Sequence, residues 1–245
     1  MEKCLIIWRR ELTACFLSPV AYVTLVAFLA VTGFTFWVAA FRNVGRPEPL
    51  ALLLCGCLVF WLPILVTVVA MRLFVEEKQS GTIELLLTAP VTEAQIVLGK
   101  YAGALTFLLI AVLPPVSSVF VLERISPTVT LANLDLGALV SGEVITVLVT
   151  AAFLALAMVV SLSTRNQIVA AMCTFCTLWL ALLGGWLLSE TPGVPQAFAD
   201  AVSITRHIET FARGVIEVGP IVLYASVCVG MLFTATRMLE SRRWR

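Results

Sequence analysis

Six apolar runs dominate the sequence, and each is long enough to cross a bilayer as a helix. An α-helix rises roughly 1.5 Å per residue, so about 20 apolar residues cover the hydrocarbon core of a membrane. The runs are residues 20–41, 50–71, 96–122, 138–162, 168–188 and 218–236. This pattern predicts an all-α, polytopic membrane protein in which residues 1–245 form a single transmembrane domain.

Composition excludes most other classes of protein. Hydrophobic residues make up 60% of the 245 residues and charged residues 13%, which leaves no soluble domain of useful size. The net charge is +1, and Lys and Arg are dispersed toward the ends of the apolar runs, so the basic patch of a nucleic-acid-binding protein is missing. We therefore expect contact with membrane lipid and none with nucleic acid.

The first 18 residues are predicted to form an interfacial helix on the membrane surface. The apolar residues that recur there at helical spacing are Leu5, Trp8, Leu12 and Phe16. The residues expected to stay on the polar side are Lys3, Arg9, Arg10 and Glu11. Ser18 and Pro19 then suit the N-cap and first turn of the first span. A cleaved signal peptide is the alternative, but this apolar run exceeds the ~7–15 residues of a signal core.

Prolines and caps predict where two of the spanning helices bend or end. Pro63 lies near the middle of the second run and is expected to kink it. Pro114 and Pro115 are expected to break the third run toward its far end. Thr92 and Gln95 have the spacing of a capping box at the start of that third helix.

The segment between the fifth and sixth runs is too polar to span the membrane, yet it carries apolar residues at roughly helical intervals. These residues are Phe198, Val202, Ile208, Phe211 and Val215. The pattern predicts an outer amphipathic or re-entrant helix before the last span. His207, the one histidine, is expected on the polar face of that helix and not as a ligand or proton carrier.

A polar island, residues 76–90, separates the second and third runs. Gly81 and Thr82 can open a helix there, Glu84 suits its first turn, and Pro90 disfavours its continuation. The island therefore contains a short predicted helix over about 81–89. Its apolar face has i, i+3, i+4 spacing and consists of Ile83, Leu86 and Leu87, beside Leu85.

Two carboxylates precede this short helix. Glu76 and Glu77 fall at the predicted C-terminal end of the second span, where the helix macrodipole disfavours anions. Arg72, one turn earlier, can offset Glu76. A solvated loop is the alternative interpretation of the island, but such a loop needs neither an apolar face nor carboxylates at an unfavourable position.

The distribution of basic residues predicts the orientation of the chain. Eleven of the 16 Lys and Arg residues lie on one side: Lys3, Arg9, Arg10, Arg72, Lys78, Lys100, Arg165, Arg237, Arg242, Arg243 and Arg245. The other side holds Arg42, Arg46, Arg124, Arg206 and Arg213. Because cytoplasmic loops carry the excess of positive charge, the island and both termini are expected in the cytoplasm, and the protein in the cell (inner) membrane.

Residues typical of catalysis or metal binding are scarce. Cys173 and Cys176 share a helical face and could hold Cu(I), but no His, Met or carboxylate cluster completes a site nearby, which favours packing thiols. Gly99 and Lys100 resemble a phosphate-binding loop only superficially, because Ala94 stands where such a loop needs Gly. We therefore predict a protein that is not an enzyme, with no metal site and no cofactor of its own.

Glu143 is the one acidic residue that hydropathy places within a span. An ionisable group in a membrane is by default a candidate functional residue, here for a transport pathway or a contact between subunits. The alternative is a carboxylate that reaches the outer interface or pairs with Arg124.

Several motifs together resemble the membrane subunits of type-2 ABC exporters, nearest to the gliding-motility and copper-enzyme-maturation permeases. The matching motifs are Ser18-Pro19 with Tyr22, Glu76-Glu77-Lys78, Gly81-Thr82-Ile83-Glu84-Leu85-Leu86 with Pro90, Gly99-Lys100, Ser161-Leu162-Ser163 with Asn166-Gln167 and Ala170, and His207 with Phe211 and Arg213-Gly214-Val215-Ile216. The island is the most specific of these motifs.

The resemblance implies that residues 81–89 form the coupling helix, which docks in a cleft of a separate cytoplasmic ABC ATPase. ATP and Mg would then be bound by that partner, whose closure moves the spans of two six-helix permeases in a homodimer or heterodimer. The same resemblance implies that residues 198–216 are an outer gate, and it leaves open both the substrate and the choice between export and mechanical work. Two other functions remain as alternatives: an ATP-independent channel or secondary transporter, and a membrane anchoring or assembly protein.

Overall fold

The computed structural model describes residues 2–43, 48–79, 81, 92–125, 135–193 and 195–243. Within these ranges the protein is all-α and contains no strand. In chain order the helices are α1 (Glu2–Leu17), α2 (Pro19–Arg42), α3 (Leu50–Leu73), α4 (Val75–Gln79), α5 (Glu93–Val112), α6 (Val116–Ile125), α7 (Leu136–Ser163), α8 (Gln167–Ser189), α9 (Gln196–Val202), α10 (Ile204–Ala212) and α11 (Val218–Arg243).

Six helical segments of the described chain have the length and apolar composition to cross a membrane, which confirms the prediction of six candidate spanning helices. They are α2, α3 with α4, α5 with most of α6, α7, α8 and α11. The last helix is longer than expected, because α11 continues to Arg243 instead of ending near residue 236. We call the end of the bundle that holds α1, α4 and the α7–α8 turn the N-terminal face, and the other end the opposite face.

Local sequence signals set several of the helix ends. The Thr92 hydroxyl accepts from the Gln95 amide at 3.4 Å, and the Gln95 side chain accepts from the Thr92 amide at 3.3 Å, which confirms the capping box. Pro114 and Pro115 separate α5 from α6, as predicted. Pro63 lies inside α3, which runs as an unbroken helix from Leu50 to Leu73.

Helix α7 is at the centre of the bundle. It packs against α3, α5, α8, α10 and α11, and most of its side chains are buried. Its buried hydroxyl groups at Thr146 and Thr150 donate to carbonyls one turn earlier, so neither is left unsatisfied in the apolar core. Any displacement of α7 therefore disturbs most of the other spans.

The outer segment differs from the single amphipathic helix predicted from its apolar spacing. It forms two short helices, α9 and α10, divided at Ser203. The Ser203 hydroxyl accepts from the Arg206 amide and so caps α10, a polar start that apolar spacing alone does not reveal. Both helices pack on α8, and α10 also packs on α3 and α7.

Candidate functional site

The first residues of the island belong to a separate short helix, α4. Helix α3 ends at Leu73, Phe74 leaves helical geometry with φ −126°, and α4 begins at Val75. Glu76 and Glu77 thus lie in the first turn of α4, where the helix dipole favours carboxylates. This corrects the expectation that they end the preceding helix in an unfavourable field.

Arg72 and Glu76 form the expected i, i+4 ion pair, with 3.4 Å between Nε and Oε1. The Arg72 Nη1 atom also donates to the Ser18 hydroxyl at 2.5 Å. Since Ser18 joins α1 to α2, this guanidinium connects the end of α3 to the corner between the first two helices.

Glu77 belongs to a nearly buried group of three charges, which we call the Lys100 triad (Glu11, Glu77 and Lys100). The Lys100 ammonium lies 2.7 Å from Glu11 Oε1 and 2.9 Å from Glu77 Oε1. Its side chain is 2% exposed, and those of Glu11 and Glu77 are 17% and 13% exposed. Lys100 Nζ also donates to the Leu73 carbonyl at 3.0 Å and lies 5.2 Å from the centre of the Phe74 ring. The triad therefore connects α1, α5 and both sides of the α3–α4 junction.

Helix α1 reaches the triad because two glycines of α5 allow it to come close. A Cβ atom on Gly99 would lie 2.8 Å from the Ile7 Cβ, and one on Gly103 would lie 2.7 Å from the Glu11 Cβ. The Trp8 indole donates to the Thr106 hydroxyl at 3.0 Å along the same contact. Gly99-x-x-x-Gly103 has the spacing that brings membrane helices together, a signal in the sequence that points to this contact.

The structure also corrects the predicted faces of α1. Glu11, predicted on the polar side with Arg9 and Arg10, packs toward α5 within the triad. Leu5, predicted on the apolar side, is 61% exposed. Hydrophobic periodicity treats every charge as facing water, so it misses a carboxylate whose partner lies 89 residues further along the chain.

Lys78 binds the end of the central helix. Its ammonium donates to the carbonyls of Ser161, Leu162 and Thr164 at 3.0, 2.7 and 2.8 Å. The last carbonyls of a helix have no partner inside it and carry partial negative charge, so a cation at this position satisfies them and stabilises the helix end. The Gln79 side chain adds a bond of 3.3 Å to the Arg165 carbonyl. These contacts join the motif at residues 76–78 to the motif at residues 161–167.

Gly81 is the last described residue before the rest of the island, and its φ of +72° places it in the left-handed region. It is therefore a turn residue, at a backbone conformation that suits glycine, and the predicted short helix over about 81–89 stays a prediction. The remaining predicted residues of that helix lie outside the described residues: Thr82, Ile83, Glu84, Leu85, Leu86, Leu87 and Pro90.

Glu143 lies about two turns into α7, near the opposite face. Both of its carboxylate oxygens are buried, and neither has a hydrogen-bond partner among the described residues. The alternative pairing with Arg124, whose residue is exposed near the end of α6, is not formed.

His207 is buried, not on a polar face as predicted. It is 5% exposed, and its Nδ1 atom lies 2.9 Å from the Tyr224 hydroxyl of α11. Burial lowers the pKa of His207 below its ordinary value of 6.5, while Glu217 nearby opposes the shift. On the same helix the Phe211 carbonyl accepts from the Ser141 hydroxyl of α7 at 2.6 Å. Helix α10 is thus hydrogen-bonded to two spans.

No group of three His, Cys, Asp or Glu side chains that could hold a metal occurs in the described part of the chain. Cys173 and Cys176 are exposed on α8, on the side that faces away from the rest of the bundle. The charged groups described at the N-terminal face instead connect helices to one another.

Comparison with known families identifies the chain. The family model described as ABC-2 family transporter protein matches residues 54–226, more than two thirds of the sequence. The matched region contains the α3–α4 junction, the island, Lys100, the α7–α8 turn and His207. A search of curated proteins finds no match. The chain is therefore a multi-pass membrane protein of the ABC-2 transporter family.

Proposed function

We propose that this protein is the permease subunit of an ABC exporter and that residues 82–90 receive movement from a separate cytoplasmic ATPase. Proteins of the ABC-2 permease family generally work with such an ATPase. The observation that carries the proposal is the anchoring of α4, which forms the first part of the island. Lys78 binds the end of α7, and Glu77 binds Lys100 of α5.

The strength of these contacts supports a mechanical role. A hydrogen bond to a charged group contributes about 1.5–3 kcal/mol, and Lys78 makes three of them to one helix end. A displacement of the island therefore moves the end of α7 before those bonds break. Because α7 packs against α3, α5, α8, α10 and α11, the displacement reaches most of the bundle.

The location and the partners of the chain follow from the same proposal. The protein lies in the cell (inner) membrane with the island and both termini in the cytoplasm, as the excess of Lys and Arg at the N-terminal face favours. Two permeases, as a homodimer or a heterodimer, bind two ATPase subunits. The motifs that carry the resemblance favour the gliding-motility and copper-enzyme-maturation branch, and the work performed is either export or a mechanical step.

Glu143 has a place in this proposal as a pathway or subunit-contact residue. Its buried oxygens have no hydrogen-bond partner among the described residues, which favours a partner from outside them, such as a transported cation or a donor of the second permease. Glu143→Gln keeps the size of the side chain and removes its charge. We expect it to assemble with the ATPase but to lose substrate-dependent activity.

The test separates docking of the ATPase from transmission of its movement. Leu86→Asp places a charge on the predicted apolar face of the island, and an unpaired buried charge at an interface costs several kcal/mol. This variant should insert normally and lose the co-purifying ATPase. Lys78→Met should keep the ATPase bound and lose the stimulation of its activity, because the island is no longer bonded to α7.

Gln79→Ala is the matched control, since the Gln79 bond to Arg165 is exposed and weaker. It should behave like the natural protein. Retention of a fully coupled ATPase by both Leu86→Asp and Lys78→Met would contradict the proposal. Purification of an active transporter without any ATPase would favour the channel or secondary-transporter alternative.

A further inference from the structure

The α3–α4 junction is a one-residue break in the helical segment Leu50–Gln79. A single residue, Phe74, leaves helical geometry between a long helix and a helix of five residues. No proline or glycine enforces this break, because the local sequence is Leu73-Phe74-Val75. Contacts with other helices therefore contribute to the position of α4 after the break.

Lys100 lies where it can hold α4 relative to α3. It bonds to the Leu73 carbonyl before the break, covers the ring of Phe74 at the break, and pairs with Glu77 after it. All three contacts come from one side chain of α5, which is itself almost fully buried. Lys100 is thus the side chain that contacts both sides of the junction, in addition to the bonds of Lys78 to α7 and of Arg72 to Glu76.

Glu11, the other carboxylate of the Lys100 triad, allows the ion pair between Glu77 and Lys100 to open and close. Breaking a buried ion pair is normally very unfavourable, because it leaves one charge buried without a partner. When Glu77 moves away, however, Lys100 keeps its contact of 2.7 Å with Glu11 and its bond to Leu73. Glu77, at 13% exposure, needs only a small movement to reach water.

The contact between Glu11 and Lys100 is much harder to open. It lies between two helices whose separation is fixed by Gly99 and Gly103, and the Trp8–Thr106 hydrogen bond holds the same interface. Helix α1 and helix α5 therefore form a stable support, against which the short helix α4 can move.

We propose that Lys100 is the positioning residue of the coupling site: its ion pair with Glu77 opens when α4 turns at Phe74 during the ATPase cycle, while its ion pair with Glu11 stays closed. The inference rests on the proposed function and assigns to α1 a working role in it. Lys100 acts through Glu77 on the island and does not itself touch the ATPase.

The first experiment needs no ATPase and compares Glu77→Gln with Glu11→Gln by hydrogen exchange in the purified permease. Each variant removes one carboxylate charge from the same lysine, so each is a control for the other. Glu77→Gln should speed exchange of residues 75–79 by roughly tenfold or more and leave α1 unchanged. Glu11→Gln should speed exchange of α1 residues 4–16 and leave residues 75–79 protected. Equal effects of both variants on both helices would overturn the proposal, since the triad would then be one structural unit.

The second experiment uses the complex with the ATPase. Trapping the ATPase with vanadate should speed exchange of residues 75–79 and leave α1 protected, while deprotection of α1 or no change in α4 would contradict the inference. Glu77→Gln should raise the ATP turnover of the resting complex by roughly tenfold, as expected when a contact specific to the resting state is lost. Glu76→Gln, which removes an exposed ion pair from the same short helix, should not. If Leu86→Asp stays coupled, the proposed function fails, whereas the exchange results on the isolated permease still decide the role of Lys100.

Discussion

Gly103 and Glu11 approach each other so closely that a Cβ atom on Gly103 would lie 2.7 Å from the Glu11 Cβ. Real Cβ atoms essentially never lie closer than 3.0 Å to another heavy atom, so even alanine at position 103 would push α1 away from α5. Helix α1, which supplies Glu11 to the Lys100 triad, can thus pack this closely on α5 only because position 103 is glycine.

Replacement of this glycine gives the first prediction. Gly103→Ala should lower the free energy of unfolding by about 1–3 kcal/mol, as overpacking of a close contact does. Gly230→Ala on α11 is the control, because a Cβ atom at that position would meet nothing within 4 Å, and it should stabilise the helix by about 0.5–1 kcal/mol. Thermal unfolding in detergent measures both, and equal stability of the two variants would contradict the close packing of α1.

A pair of adjacent glycines in α8 gives the second prediction. A Cβ atom on Gly185 would lie 2.3 Å from the Ser203 Cα, whereas one on Gly184 would meet nothing within 4 Å. Since Ser203 would be struck at its backbone, no change of rotamer can relieve the contact. Gly185→Ala should therefore expose α9 and α10 to proteolysis and Gly184→Ala should not, and equal protease resistance would show that these helices do not pack as described.

The third prediction concerns the pH dependence of stability. Burial lowers the pKa of His207 in the folded protein, so below about pH 6.5 the unfolded chain binds more protons at this residue than the folded chain does. Stability contributed by the neutral imidazole is present above that pH and falls as the pH falls. The loss of unfolding temperature between about pH 7.5 and about pH 5.5 should be larger for the natural protein than for His207→Gln.

Other titrating groups face His207 and must be the same in both proteins. Tyr224 bonds to it, Glu217 interacts with it, and the neighbouring cavity of about 610 Å³ is also lined by Asp200 and Glu209. All of these remain in His207→Gln, so the comparison isolates the imidazole. If the unfolding temperatures of the two proteins changed identically with pH, the folded protein would not favour the neutral form of His207.

The fourth prediction tests orientation. In a cysteine-free background, Ser80→Cys should be protected from an impermeant thiol reagent in intact cells, and Pro195→Cys should be labelled. The physical reason is the excess of Lys and Arg at the N-terminal face, which is retained in the cytoplasm during insertion. The reverse labelling pattern would mean that the predicted membrane orientation is wrong and that the island cannot contact a cytoplasmic ATPase.

Features controlled by neighbours in the chain could be predicted from the sequence. The six spans follow from run length, the capping box at Thr92 from two residues three apart, and the break after α5 from Pro114 and Pro115. The end of α3 at Leu73 could not be predicted, because Leu73, Phe74 and Val75 are all apolar and continue the pattern of an apolar helix. The contact that Lys100 makes with the Leu73 carbonyl at this break comes from another helix, so the local sequence does not reveal it.

Contacts between residues far apart in the sequence explain the other differences between the predictions from sequence and the structure. A lone histidine beside Arg206 is typical of a polar face, and its burial depends on Tyr224, 17 residues later and on another helix. Glu76 and Glu77 stand out as unusual in the sequence, but their favourable position follows from the α3–α4 junction. The role of Lys78 depends on the end of α7, 83 to 86 residues away.

The distance along the chain between Glu11 and Lys100 also fixes an order of assembly. The two residues are 89 positions apart, so at about 5–20 residues per second the ribosome makes Lys100 roughly 4–18 s after Glu11. During that interval α1 has neither the glycine surface of α5 nor the ammonium group that pairs with Glu11. The arrival of the third span neutralises Glu11 and Glu77 in one event.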